Sequence, residues 1–329
     1  MKVLFLNKPK LNTKFLIKVF LILFIIFLIM FSKTNILAVQ NAISLFFEKV
    51  FPSLFPFFIA ADLLSHTNII NILNTILSPI MKPLFNVSGK GAFPFIMGII
   101  SGYPTGAKIV SDFRKNNICT KVECERLLAY TNNSGPLFII GTVGSSLFLS
   151  TEIGILLLIT HIFGTLTVGI IFRFYKNNYY RNENIVDELD IDNFSSILTE
   201  SIFNSFKTTG MIFGFIIMFS IINNILLTSG ILKLFPSAII GSILSTCEIT
   251  NGINYISMIK SSNLTIQLIL TSFFLGVGGI SVLMQVYSII SKTDLSIKPY
   301  ILGKLLHGLT SAIYTLIIIL LFPSFSFKI

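Results

Sequence analysis

Ser101-Gly102-Tyr103-Pro104-Thr105-Gly106-Ala107-Lys108, followed later by Thr131-Asn132-Asn133-Ser134-Gly135-Pro136, decides the fold of this chain. Both stretches are small, polar and helix-breaking, yet apolar sequence flanks them, Ala92 to Ile100 before the first and Leu137 to Val143 after the second. In hydrocarbon, backbone polar groups must be satisfied internally. Irregular backbone survives there only where protein or a watery cavity covers it. The two stretches are therefore expected to line a cavity that the rest of the chain builds.

Composition agrees with a membrane setting. Of 329 residues, 53% are hydrophobic and only 12% charged, about half the charge of an average soluble domain. Mean hydropathy is +0.85. Several apolar runs approach the roughly 20 residues that cross a bilayer as helix, and they are continuous rather than alternating, which excludes a β-barrel. The expected class is an all-α polytopic membrane protein with roughly seven to ten crossings. The net charge of +10 does not point to nucleic acid, because the basic residues sit at segment ends, where topology explains them. Three cysteines form neither a metal spacing nor a disulfide framework. His66, His161 and His307 are scattered, and no metal, cofactor or catalytic triad is expected. Ser88-Gly89-Lys90-Gly91 lacks the spacing of a phosphate loop.

Along the chain, residues 1–35 read as a basic leader and a retained first span with its N-terminus in the cytoplasm. Residues 36–175 read as one repeat and 194–329 as a second, joined by a hydrophilic linker, 176–193, with five of the chain's 14 acids. In the first half a short apolar piece and a break, Ser101 to Lys108, suit a re-entrant hairpin. A span interrupted at Asn132 to Pro136 follows. The second half repeats this layout, with breaks at Ser245 to Gly252 and Gly276 to Gly279, so that Gly106 matches Gly252 and Gly135 matches Gly279. Interrupted segments in corresponding positions of two halves point to a transporter's binding site.

Three of these stretches, Phe51-Pro52-Ser53-Leu54-Phe55-Pro56-Phe57-Phe58, Ser101 to Lys108 and Thr131 to Phe138, resemble the YlbJ (SpoVV) family of sporulation integral membrane proteins, over most of the chain from about Ile36. That resemblance implies a Gate, or nucleoside-recognition, domain shared with concentrative nucleoside transporters and ferrous-iron transporters. It also implies a role in spore formation, moving dipicolinic acid from the mother cell across the outer forespore membrane. A nucleoside or other small-anion carrier, and a non-transporting scaffold, are the alternatives. The expected partners are a small anionic solute and the lipid bilayer, and assembly into a homo-oligomer is compatible with the sequence.

The residue chemistry suits a flat dianion. Half-helix N-termini offer free N–H groups and a positive dipole end. Gly102, Gly106, Gly135 and Gly279 allow close backbone approach. Thr105, Asn132, Asn133, Ser134 and Asn251 are expected at the site as hydrogen-bonding groups, and Tyr103 as a stacking ring. Lys108 fits either a charge for the ligand or a snorkelling interfacial lysine. Asn132 and Asn133 fit either ligand donors or partners of freed backbone. Glu248 fits either a coupling site or the partner of a lysine.

Overall fold

The computed structural model describes residues 13–176, 194–259 and 263–322, with no strand among them. The basic leader up to residue 12 and the linker from 177 to 193 lie outside the described residues.

The N-terminal helix α1 (Thr13–Met30) is apolar all round beyond Lys18. Its ring and aliphatic side chains are exposed, from Phe15 at 62% to Ile29 at 73%, as expected of a helix solvated by lipid. At Phe31 the chain bends by 96° into α2 (Ser32–Leu45). This helix is less apolar and is tied to α9 (Phe194–Thr228). The Asn224 amide donates to Asn35 Oδ1 at 2.7 Å and to Thr34 Oγ1 at 3.1 Å.

A π-type turn, π1 (Phe46–Val50), then runs directly into α3 (Phe51–Ser65). Pro52 sits at the start of α3 and Pro56 inside it. Proline lacks the N–H an α-helix needs and crowds the preceding turn, which accounts for the helix widening there. After an 87° bend, α4 (Ile69–Phe85) is strongly amphipathic, with Ile72, Ile76, Ile80 and Leu84 exposed one turn apart and Ile70, Met81 and Phe85 buried.

Two sets of elements then follow the same plan. In the first, α5 (Ala92–Ser101) folds back through Gly102-Tyr103-Pro104 onto α6 (Thr105–Lys115). Next, α7 (Lys121–Tyr130) starts from a capping box, in which Thr120 Oγ1 accepts from Glu123 N–H and the Glu123 carboxylate accepts from Thr120 N–H. It unwinds at 131–136 and resumes as a second π-type helix, π2 (Leu137–Leu147), before α8 (Thr151–Phe172). In the second set, α10 (Ser237–Cys247) and α11 (Ile249–Ser257) make the hairpin. Then α12 (Leu264–Val277) and α13 (Gly279–Ile290) form one broken span, and α14 (Lys298–Leu321) closes the chain.

The crossing count is lower than the composition suggested. Among the described residues, four helices are long and apolar enough to cross, or six if each bent pair is one span. The physical reason is that the short apolar pieces pair off as hairpins, which enter and return, and α4 turns sharply away from α3.

One pole of the molecule gathers the basic loops. There Arg126 donates to the Tyr175 and Lys176 carbonyls at 2.9 and 2.7 Å and to that of Asn86. Lys176 pairs with Glu125 at 2.7 Å, and Arg114 forks onto Asp294 at 2.7 and 2.9 Å. Basic residues gathered in short loops are the pattern that the positive-inside rule associates with a cytoplasmic side.

Candidate functional site

Each hairpin presses its break against the broken span of its own set. At Gly106 a Cβ would stand 2.1 Å from the Thr131 carbonyl oxygen, and at Gly98 1.8 Å from the same atom. A Cβ on Gly102 would lie 2.9 Å from Gly135 N. Gly102 also has φ +88°, which only glycine adopts readily. In the second set a Cβ on Gly279 would stand 2.8 Å from Ser245 O and 3.3 Å from Thr246 O. Main chain meets main chain at both places, so any side chain there would push the elements apart.

Three of the four breaks face a common cavity of about 400 Å³, at 101–103, 134–135 and 248–250, and the broken span of the second set reaches it through Ser281, Val282 and Gln285 of α13; π1, α3, π2 and α9 complete the wall. Tyr103 lines it, and its ring lies 3.9 Å from where a Cβ on Gly278 would be. The wall is mostly apolar, including Phe57, Leu137, Phe138, Ile212 and Ile216. Its polar groups are Ser101, Tyr103, Ser134, Thr142, Ser146, Thr250, Ser281 and Gln285, with two acids, Glu48 and Glu248. The Ser101 hydroxyl has no hydrogen-bond partner among the described residues, so it has bonding capacity for a solute or water.

Helix starts matter here because their N–H groups lack partners within the helix. No side chain caps π2 at Pro136 or α13 at Gly278, and both starts reach the cavity wall through Leu137 and Ser281. The start of α11 is different. Glu248 caps it, Oε1 accepting from Thr250 N–H at 3.1 Å and Oε2 from Asn251 N–H at 2.8 Å. That N-terminus is already filled by its own carboxylate, and Glu248 is neither paired with a lysine nor left to take a solute there.

Of the twelve residues the sequence pointed to, Gly102, Tyr103, Ser134, Gly135 and Glu248 line the cavity. The other seven do not. Lys108 is a correction: its ammonium is 2.9 Å from Asp62 and 3.9 Å from Asp112, away from the wall, because a partly buried lysine takes the nearest carboxylate. Asn133 donates to the Tyr130 carbonyl at 3.0 Å and so satisfies backbone where α7 unwinds, while Asn132 donates to the Tyr300 hydroxyl at 3.1 Å and ties the unwound segment to α14; neither lines the cavity. Asn251 donates to Ser220 at 3.0 Å. Thr105 is fully buried, and Gly106 and Gly279 serve the close contacts between breaks. No lysine or arginine lines the cavity among the described residues.

Sequence reasoning missed Thr142 and Glu48 on the wall, which come from the π-type segments π2 and π1 and not from the breaks. It also missed the meeting of His161 and His307, whose rings lie 4.3 Å apart. Each histidine sits in the last helix of its set, a correspondence visible once the two halves are laid side by side.

Comparison with known proteins agrees with this architecture. The sporulation integral membrane protein YlbJ of Bacillus subtilis is 34% identical over 95% of this chain and 84% of its own length. The chain belongs to the YlbJ family of sporulation integral membrane proteins. The Gate family, described as nucleoside recognition, matches residues 47–211, from π1 through the first set into α9. No solved structure matches the chain. As a member of the family, this is an all-helical integral membrane protein of sporulation, with broken helices at its centre.

Proposed function

We propose that this protein is an alternating-access carrier that moves dipicolinate from the mother cell across the outer forespore membrane during sporulation. The observation that carries the proposal is the convergence of both hairpins and both broken spans on one cavity, which π2 reaches at Leu137 and α13 at Ser281, near their uncapped starts. Broken helices at the membrane centre are how carriers present backbone to a solute, and uncapped helix starts favour an anion. The cavity suits a flat ring between apolar surfaces, with Tyr103 beside it. The sporulation family supports the physiological setting.

The test is uptake of labelled dipicolinate by liposomes holding the purified protein. Saturable uptake is expected, lost on Gly135→Leu at normal protein level. Absence of uptake in liposomes, together with unchanged spore dipicolinate in a deletion strain, would refute the proposal.

A second reading has its own observation. The cavity wall carries two acids and no cation, which suits a neutral nucleoside, and the Gate match is described as nucleoside recognition. Competition of nucleosides against dipicolinate for one sample separates the two readings.

A further inference from the structure

Behind the unwound segment 131–136, on the side away from the cavity, α8 and α14 bury His161, Lys304 and His307. All three are nearly inaccessible, at 2%, 3% and 0% exposure. Lys304 Nζ donates to the Asn132 carbonyl at 2.8 Å and lies 3.2 Å from His307 Nδ1. His307 Nε2 is 2.9 Å from the His161 carbonyl oxygen. Because a carbonyl only accepts, Nε2 of His307 carries a hydrogen. In the neutral ring this leaves Nδ1 with a lone pair directed at Lys304. His161 is fixed in the same way. The Ser134 backbone N–H donates to its Nε2 at 3.1 Å, so the ring hydrogen is on Nδ1, which has no partner among the described residues.

These assignments leave two competing lone pairs, on Lys304 Nζ and His307 Nδ1, for one added proton. When it is bound, the site carries a positive charge. No acidic side chain lies within ion-pairing distance of Lys304 among the described residues. The ionisable groups that face the cluster are His161 from α8 and Tyr300 one turn earlier on α14. The hydroxyl of Tyr300 is held by Asn132. From α7, Tyr130 turns its ring toward Phe85 at 5.1 Å, and α12 contributes Thr271 and Ser272, which do not titrate.

A buried cation without a counter-ion is costly in low dielectric. An anion in the cavity would supply a counter-charge, and the link is short. Lys304 holds the Asn132 carbonyl, and Ser134, two residues on, both lines the cavity and holds His161.

We propose that Lys304, His307 and His161 form a proton-binding site coupled to the solute cavity, which takes up one proton with an anionic solute and gives it up when the anion leaves. This rests on the anion-carrier reading above. The proton adds to the lone pair of Lys304 Nζ or His307 Nδ1 as an N–H bond and departs from the same nitrogen to water. No electrons are transferred and no other bond changes. Linkage is reciprocal: a proton at the site tightens anion binding as much as the anion tightens proton binding.

The test uses the full chain in lipid nanodiscs. Dipicolinate binding is measured by calorimetry in two buffers of different ionisation enthalpy. The expected result is uptake of about one proton per dipicolinate, with affinity rising up to tenfold per unit fall in pH. Lys304→Arg, which keeps the charge permanently, is expected to bind dipicolinate without proton uptake, and Lys304→Gln to bind it more weakly at every pH. Wild-type binding with equal enthalpy in both buffers and a flat pH profile would overturn the inference and leave the carrier reading standing. If dipicolinate does not bind at all, the carrier reading fails, and nitrogen NMR of the ligand-free wild type decides this one. A single proton titrating on Lys304 or His307 from about pH 5 to 9 supports the site, and silence of all three side chains over that range overturns it.

Discussion

Gly106→Ala probes the contact on which the cavity depends. The new Cβ would sit 2.1 Å from the Thr131 carbonyl oxygen and 2.6 Å from its carbon. Carbon and carbonyl oxygen rest at about 3.3 Å, so α6 and the unwound segment must separate by roughly 1.2 Å. Both sides of the contact are main chain, and no rotamer change relieves it. Forced overpacking of this kind costs about 1–3 kcal/mol, which for a chain of this size lowers Tm by about 2–10 °C.

The assay is thermal unfolding of the purified protein with a thiol-reactive dye, since Cys119 and Cys124 are buried and react as the fold opens. Gly210→Ala is the control. Nothing lies within 4 Å of a Cβ there, and alanine favours an interior helical position over glycine by up to about 1 kcal/mol. Its Tm is expected to equal or exceed that of the wild type. Melting of Gly106→Ala together with wild type would show that the hairpin and the unwound segment do not touch, and the cavity geometry would fall with that contact.

Lys108→Met is expected to destabilise by about 3–5 kcal/mol, because it strands Asp62, and Asp62→Asn on top should recover part of that. Solute affinity should hold in both, so loss of binding at unchanged Tm would place Lys108 at the site after all. Glu248→Gln removes a charged cap from α11 and should lower stability by about 1 kcal/mol, readable in the same melting assay; an unchanged Tm would mean the cap is not formed in solution. At the basic pole, the Arg114 guanidinium holds the Asp294 carboxyl below its usual range. A depressed carboxyl contributes stability that is present above about pH 4 and is lost as pH falls through its folded-state value. The pair is exposed, so the effect is small, and Asp294→Asn should flatten the acid side of the Tm-against-pH curve; an unaltered curve would remove the pair from the account.

Much of the architecture was legible because it follows from local chemistry. Apolar runs separated by Gly, Pro and Asn can only be helices with breaks when the solvent is lipid, and the two sets of breaks were visible as a repeated layout. The broken span Leu264–Ile290 and the hairpin at Gly102 stand where the sequence put them. The number of crossings was not legible, since length and composition do not say whether a ten-residue apolar helix crosses or folds back on its neighbour.

The site divides in the same way. By itself the sequence determined that Gly102, Gly135 and Gly279 mark places where backbone must come close, because absence of a side chain is a property of the residue alone. Which polar groups face the cavity was decided by tertiary structure. Lys108 and Asn133 carry the right chemistry for a ligand, but each found a nearer partner in Asp62 and the Tyr130 carbonyl. The pairing of His161 with His307 joins residues 146 apart, through packing of the last helices of the two sets. A side chain's direction depends on what its neighbours in space leave unsatisfied, and those neighbours exist only once the chain has folded.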